Sequence, residues 1–368
     1  MRGLMLRSLL VVALALSLLI SGGLSYNDIP DRDPRSLKAS QLFDMIPAGK
    51  RGSCANRPVD NTLQDAAQIA DKGLSVLEQL VHDAMTNNKN NQGVRWANMG
   101  YTMFGGKYKL ENIPGDKKRR KKVRVTDGYS RVTKAMYNFQ AVQFKLKNDR
   151  VQGKLMCGDE DLKLVHKLGD LGLEPKDKLI SVAKKDPSNI KGYFLSRYWS
   201  PKDSKGAYIL DKAFLVYIED DQYEKWKYGY CHRGRAVMNR PSNLMVLCDR
   251  VWRSPTLRDT IRSQSSLIGK PIKDDDGKYL LDQQQTAGLD MLHETFHWIS
   301  WDITDIKTSR GTAYGFSRCF QLAKEDLQQE NPCDLDQSLR NADSHTLFGN
   351  GVTLNEVDWY PDGPKEQG

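Results

Sequence analysis

The chain has 368 residues, of which 39% are hydrophobic and 27% are charged, and its formal net charge is +9. This composition excludes a largely disordered protein, because it supplies enough apolar side chains for a sizeable core. The positive excess is modest, so it does not by itself indicate a nucleic-acid partner, and we expect none.

Residues 1–25 have the order of a secretory signal. Two arginines precede an apolar run from Leu9 to Ile20, and small residues follow up to Ser25. The run is too short to span a bilayer comfortably, which disfavours a membrane anchor. We therefore expect cleavage near Ser25 and a secreted, extracellular protein without membrane association once the signal is removed.

Residues 26–51 are polar, contain prolines and show no sustained period, which is typical of a leader, propeptide or linker. The segment ends in the dibasic pair Lys50-Arg51, where an export-pathway protease could cut. Removal of a propeptide at this pair is a hypothesis, and an ordinary exposed pair is the alternative. Residues 52–368 are expected to form a single domain.

The pattern changes at Thr62, where apolar residues at helical spacing predict a long helix, and residues 128–146 predict another. Residues 206–250 indicate β-structure, with short apolar runs at 213–218 and 243–248. Six cysteines in an exported chain predict disulfides, and a bond between Cys231 and Cys248 would staple these strands.

A basic loop near residues 116–125 contains six consecutive lysines and arginines, Lys117 to Lys122. With an export signal present, a nuclear address is a poor explanation for this run. A solvated loop is the simplest interpretation, and an anionic surface bound at Lys117–Lys122 is the alternative.

His293-Glu294-Thr295-Phe296-His297 is an H-E-x-x-H string within an apolar-periodic, helical stretch. Histidines four residues apart lie on one helix face, where both imidazoles can reach one metal ion. Glu294 is displaced around the helix, so it can contact a water at the metal rather than the metal itself. The pattern predicts a zinc site of the metallopeptidase kind.

The third metal ligand must come from elsewhere in the chain. An extended H-E-x-x-H-x-x-G-x-x-H site is excluded, because Ser300 and Ile303 occupy its glycine and histidine positions. The nearer oxygen donors are Asp302 and Asp305, and Glu325 is a candidate from a following helix.

The sequence resembles the aspzincin metallopeptidases, which include deuterolysin and the fungal lysine-specific metallo-endopeptidases. The resemblance covers most of 52–350 and is strongest over 285–350. It rests on the H-E-x-x-H string and on further stretches that look like family blocks: SCANRPVDNTLQDAAQIA (53–70), VLCDRVW (246–252), AYG (313–315), Cys319, LA (322–323) and NADSHTLF (341–348).

The resemblance implies that His293 and His297 bind zinc, that Glu294 is the general base and that Tyr314 donates a hydrogen bond to the oxyanion. The sequence departs from the family where an aspartate usually precedes the tyrosine by three residues, because that position is Gly311.

We place the third ligand at Asp305, ahead of an inserted stretch, with Asp302 as the second choice. A site that lacks a third ligand, and is therefore inactive, remains open. Asp343 matches the first residue of an acidic pair that binds substrate in the lysine-specific members, but Thr346 stands where the second acid would be. His345, in the same block, is expected to be structural.

The resemblance also implies disulfides Cys54–Cys157 and Cys231–Cys248, which leave Cys319 and Cys333 as a pair or as free thiols. It implies an α+β, zincin-like fold, rich in helices with a small β-sheet that aligns a peptide substrate as an added strand.

The sequence thus predicts a monomeric, secreted Zn2+ endopeptidase that acts on protein or peptide substrates through a metal-activated water. Two alternatives remain: an inactive homologue that binds a partner or an anionic surface, and a structural zinc protein without an open coordination position.

Overall fold

The fold is described from a computed structural model. The residues described are those at 30–49, 51–86, 99–100, 102–105, 107–112, 121–127, 129–160, 162–165, 193–196, 215–217, 229–232, 234–240, 243–263, 280–308, 311–328 and 337–354. The expected signal peptide (1–25), residues 117–120 of the basic run and Cys333 lie outside these ranges.

Nine helices and eleven strands are labelled here in chain order within the described part of the chain. The helices are α1 (Ala39–Leu42), α2 (Val59–Thr86), α3 (Tyr129–Leu146), α4 (Leu257–Ser263), α5 (Leu280–Gln283), α6 (Ala287–Ile299), α7 (Phe316–Gln328), α8 (Gln337–Arg340) and α9 (Ala342–Thr353). The strands are β1 (Phe43–Met45), β2 (Lys107–Asn112), β3 (Lys121–Asp127), β4 (Gly153–Met156), β5 (Leu162–Val165), β6 (Tyr193–Ser196), β7 (Leu215–Tyr217), β8 (Ala236–Asn239), β9 (Leu244–Leu247), β10 (Lys307–Thr308) and β11 (Gly311–Thr312). Short 3-10 helices at Pro34–Ser36, Tyr230–His232 and Val251–Arg253 complete the set.

In the part of the chain that the structure describes, the main sheet has four strands in the order β1-β4-β9-β8. The β1–β4 and β4–β9 pairs are parallel, whereas β8 runs antiparallel to β9 and forms an edge. All four residues of β9 are buried, as expected for a strand inside a sheet that is covered by helices. The β-structure predicted for 206–250 is therefore confirmed over β8 and β9, with β7 in a separate three-stranded sheet.

Helix α6 lies between the main sheet and a group of helices. It contacts β8 and β9 on one side and α2, α3 and α9 on the other. Phe296 of α6 is fully buried and meets the ring of Phe139 from α3 edge-on at 5.1 Å. Helix α2 begins at Val59, three residues before the predicted start, and α3 matches its predicted bounds closely. The mixed helix and sheet architecture confirms the α+β class.

The segment that the sequence suggests as a leader or linker, 26–51, is packed into this domain from residue 30 onward and is not a free linker. Its strand β1 pairs with β4 in the main sheet. It also supplies five buried apolar side chains, namely Leu37, Ala39, Leu42, Phe43 and Ile46. These apolar residues show no helical or strand periodicity in the sequence, because they are few and strand β1 is only three residues long. Cleavage at Lys50-Arg51 stays a hypothesis, with an ordinary exposed pair as the alternative.

Two disulfides are present among the described residues, and both match the expected pairs. Cys54–Cys157 joins residues 103 apart in sequence, and Cys231–Cys248 joins residues 17 apart. Cys319 is not disulfide-bonded but is a free, buried thiol. Disulfides indicate an oxidising compartment. Among the described residues, none of the helices combines the length and apolar character that crossing a membrane requires.

The remaining sheets are small. Strands β2 and β3 form an antiparallel pair, β5, β6 and β7 form a three-stranded antiparallel sheet, and β10 and β11 form a short hairpin. The end of the basic run, Lys121 and Lys122, lies in β3.

Candidate metal centre

Helix α6 presents two histidines toward one point. Thr286 caps its first turn, where the side-chain hydroxyl accepts a hydrogen bond from the Leu289 N–H. His293 and His297 follow one turn apart, and their Nε2 atoms lie 3.1 Å from each other. The i, i+4 spacing in the sequence therefore brings both Nε2 atoms close enough to bind one metal ion.

Asp305 completes a three-residue cluster. Its Oδ1 lies 3.1 Å from His293 Nε2 and 3.1 Å from His297 Nε2. Among the described residues, His293, His297 and Asp305 form the one group of three or more His, Cys, Asp or Glu side chains whose atoms could hold a metal ion.

The separations in this cluster fit one small cation. Ligand atoms about 2.0–2.1 Å from a tetrahedral zinc ion are about 3.3 Å apart, close to the 3.1 Å separations here. His297 Nδ1 faces the carbonyl oxygen of Ile303 at 3.0 Å, so its proton lies on Nδ1 and Nε2 keeps a lone pair. Acceptor atoms thus converge on one point, where a positive charge is favourable.

The pKa shifts within the cluster agree with this electrostatic picture. Burial lowers the pKa of His293, but hydrogen bonds with Asp305 and Asp343 outweigh it and raise that pKa well above its usual value. Burial raises the pKa of Asp305, but its hydrogen bonds to His293 and His297 prevail and hold that pKa below its usual range. The cluster therefore favours a cation next to an ionised carboxylate.

Asp305 is held in place by backbone bonds on both sides. Thr304 N–H donates to the Arg340 carbonyl at 2.7 Å, and the Thr304 carbonyl accepts from Ala342 N–H at 3.2 Å. The Ile306 N–H donates to the side-chain oxygen of Asn341 at 3.2 Å. These contacts fix Asp305 against the start of α9, which is more than 30 residues away in sequence.

The structure also shows why Asp305 rather than Asp302 is in the cluster. Asp302 lies on an exposed turn directly after α6, where its N–H bonds to the Ser300 hydroxyl. Gly311 stands where the aspzincin pattern has its aspartate. Its backbone φ is +105°, a value that residues other than glycine rarely adopt. Gly311 is the first residue of β11, and the β10–β11 hairpin lies between Asp305 and Tyr314.

Glu294 lies beside the cluster and is not part of it. Its side chain is 94% buried, with 6% exposure, and it accepts a hydrogen bond from the backbone N–H of Met238 in the edge strand β8. Burial raises the pKa of Glu294 above its usual value, although His297 and His293 act in the opposite direction. A carboxylate of raised pKa next to a metal site is suited to accept a proton.

Tyr314 reaches the cluster with its hydroxyl group. Its Oη donates to Asp305 Oδ2 at 2.6 Å, and its ring is 6.1 Å from the ring of His293. Burial of the hydroxyl and the charge of Asp305 raise the pKa of Tyr314, so the group remains a proton donor. At 47% exposure the residue is also open to solvent, which a substrate contact requires. The oxyanion role stays a prediction.

Asp343 contacts the cluster from behind His293. Its Oδ1 lies 3.4 Å from His293 Nδ1, and its Oδ2 accepts from the Gly315 N–H at 2.6 Å. A carboxylate in this position orients a metal-binding imidazole. The substrate-binding role implied by the resemblance stays a prediction.

His345 is structural, as expected. Its ring is fully buried, with Nδ1 at 3.1 Å from the Asn341 carbonyl oxygen and Nε2 at 2.9 Å from Asn138 Nδ2. Burial lowers its pKa to about 4, which keeps the ring neutral. It packs between aromatic rings, 4.7 Å from Phe296 and 5.0 Å from Phe104.

Two residues near the centre were not found by sequence reasoning. Asn341 is fully buried, and besides the Ile306 contact its side-chain nitrogen donates to the Ala313 carbonyl at 3.1 Å. It thereby joins the chain segments before and after the β10–β11 hairpin. Arg240 extends from the end of β8 to the loop that follows α6. The position of Asn341 just before a helix was a signal, whereas nothing in the sequence distinguishes Arg240 from other surface arginines.

Comparisons with known proteins add no identification. No protein-family model matches the chain, and no curated protein and no solved structure matches it either.

Proposed function

We propose that this protein is a secreted, zinc-dependent endopeptidase of the zincin type. The observation that carries the proposal is the convergence of His293, His297 and Asp305 at 3.1 Å separations, with the buried carboxylate of Glu294 beside them. His293, His297 and Asp305 would hold a zinc ion with three protein ligands, the number found in catalytic rather than structural sites. When bound, zinc would supply Lewis-acid chemistry by activating water and polarising the peptide carbonyl.

The remaining steps belong to side chains of the chain itself. Glu294 accepts the proton of the attacking water and passes it to the leaving amine, a transfer suited to its raised pKa. Tyr314 exchanges its hydrogen bond to Asp305 for one to the oxygen that becomes negative during attack. Asp343 keeps the ring of His293 in orientation through Nδ1.

The edge strand β8 gives a route for peptide binding. It is the outer strand of the main sheet and contacts helix α6. An extended peptide can add to such an edge through main-chain hydrogen bonds. Because Met238 of β8 contacts Glu294, a peptide on this edge would pass close to the proposed base.

Export of the protein is also part of the proposal. The two disulfides support folding in an oxidising compartment, and the secretory order of residues 1–25 supports the route.

The test combines metal analysis with a cleavage assay on casein and on a peptide library. We expect one zinc ion per chain, cleavage that stops when a chelator removes the zinc, and cleavage that is lost in Glu294→Gln while the zinc remains. Zinc without cleavage would indicate a structural metal site, and absence of zinc would indicate an inactive binding protein.

A further inference from the structure

Arg240 connects the edge strand to the metal-site loop. It follows β8 directly and its side chain is half-buried. The guanidinium contacts Trp301 and Ile303, in the loop that joins His297 to Asp305. One terminal nitrogen, Nη2, lies 3.3 Å from Nδ1 of His297, which places the guanidinium beside the proposed centre.

Arg240 binds two carbonyl groups of this loop at once. One terminal nitrogen, Nη1, donates to the Trp301 carbonyl at 2.9 Å, and the other, Nη2, donates to the Ile303 carbonyl. The guanidinium carbon also lies 5.4 Å from the centre of the Trp301 ring, which is 67% exposed. A planar fork of donors can hold two carbonyls in fixed positions, which a single ammonium group does less well.

The Ile303 carbonyl has a second partner, which is the ring of His297. His297 Nδ1 is 3.0 Å from this oxygen, and Arg240 Nη2 is 3.3 Å from the same Nδ1. Because the guanidinium has no acceptor and the carbonyl has no proton, the bond to Ile303 requires a proton on Nδ1. His297 then offers an unprotonated Nε2 to the cluster. A displaced Ile303 carbonyl would let Nδ1 accept from Arg240 instead, with the proton on Nε2.

We propose that Arg240 is a positioning residue of the metal centre. Arg240 holds the Ile303 carbonyl at Nδ1 of His297, and this contact selects the tautomer whose Nε2 can bind a metal ion. Arg240 also fixes the loop that leads to Asp305. Loss of a residue that is one hydrogen bond away from a metal ligand commonly lowers the affinity for the metal. The inference rests on the proposed function, since it assumes that the cluster binds zinc.

The test measures zinc affinity in competition with a chromophoric chelator, starting from metal-stripped protein. We expect Arg240→Ala and Arg240→Lys each to weaken zinc binding by about 10- to 100-fold, because lysine keeps the charge but loses the fork. Arg340→Ala is the matched control. Its guanidinium also donates to a carbonyl of this loop, that of Asp302 at 3.3 Å, but from an exposed side chain, and the substitution keeps the backbone carbonyl of Arg340 that accepts from the Thr304 N–H. We expect it to change the affinity by less than about twofold.

Two further measurements make the result decisive. Urea unfolding of the metal-free proteins reports stability, and the visible spectrum of the Co2+-loaded proteins reports ligand geometry. A spectrum altered in both Arg240 variants and unchanged in Arg340→Ala supports the inference. Arg240 variants that bind zinc like the parent protein, or that lose only stability, would overturn it while leaving the zinc site intact. A parent protein that binds no zinc would overturn the proposed function as well.

Discussion

The hydroxyl of Tyr314 donates a hydrogen bond to Asp305 Oδ2 at 2.6 Å, while the other oxygen of the same carboxylate faces the two histidines. One carboxylate thus links the proposed metal ligands to the proposed oxyanion donor. A tyrosine held in this way is kept beside the site before substrate arrives, and its hydroxyl can exchange the hydrogen bond to the carboxylate for one to a substrate oxygen.

Tyr314→Phe removes that donor and retains the ring. We expect kcat to fall by about 100- to 1,000-fold, the usual cost of losing one oxyanion donor, with a small change in KM. Zinc content should be unchanged, because the hydroxyl is not among the ligand atoms. Steady-state kinetics on a peptide substrate check this, and a kcat equal to that of the parent protein would refute the role.

Asp305→Ala and Asp302→Ala separate the two candidates for the third ligand. Only Asp305 lies in the cluster, so its loss should weaken zinc binding by more than about 100-fold, beyond the usual cost of losing an outer partner. Asp302→Ala should bind zinc as the parent does. Calorimetric titration with Zn2+ measures both affinities, and the reverse ranking would show that the loop rearranges around the metal.

Buried His345 predicts loss of stability in acid. Its pKa is lowered from 6.5 to about 4 in the folded protein, so between these values the unfolded chain binds a proton that the folded one does not. The stabilisation is complete above about pH 6.5 and is lost as the pH falls toward 4, a change on the order of 3 kcal/mol.

Urea unfolding of metal-free protein at a series of pH values measures this dependence. In His345→Gln the group that titrates is absent, so the free energy of unfolding should fall less steeply between about pH 6.5 and pH 4. Identical slopes in the two proteins would show that His345 is not responsible.

The N-terminal segment predicts a folding requirement. A chain that starts at residue 52 lacks strand β1 and five buried apolar side chains. Each large apolar side chain contributes about 1.5–3 kcal/mol when buried, against a total stability of about 5–15 kcal/mol. We expect this chain to be unfolded or to melt far below a chain that starts at residue 26. Circular dichroism melting compares them, and equal midpoints would show that the segment is dispensable.

The features that the sequence predicted correctly depend on residues that are close together in the chain. The spacing of His293 and His297 was enough to place two imidazoles together, because helix geometry is set by neighbours in sequence. The buried strand at 244–247 and its disulfide followed from a short apolar run between two cysteines.

Features that depend on distant segments were not predictable. The packing of β1 requires a partner strand more than 100 residues away, since Phe43 pairs with Gly153. The location of Asp305 depends on Asn341 and on backbone bonds to α8 and α9, and sequence alone left Asp302 in contention. Arg240 acts on carbonyl groups, which every residue has, so no residue type marks its partners.

The most direct test of the metal centre is an anomalous difference map at the zinc absorption edge, from crystals of the protein grown with zinc. We predict one peak at bonding distance, about 2.0–2.2 Å, from Nε2 of His293, Nε2 of His297 and a carboxylate oxygen of Asp305. A map without a peak at these atoms, or with Asp305 turned away from the ion, would contradict the account.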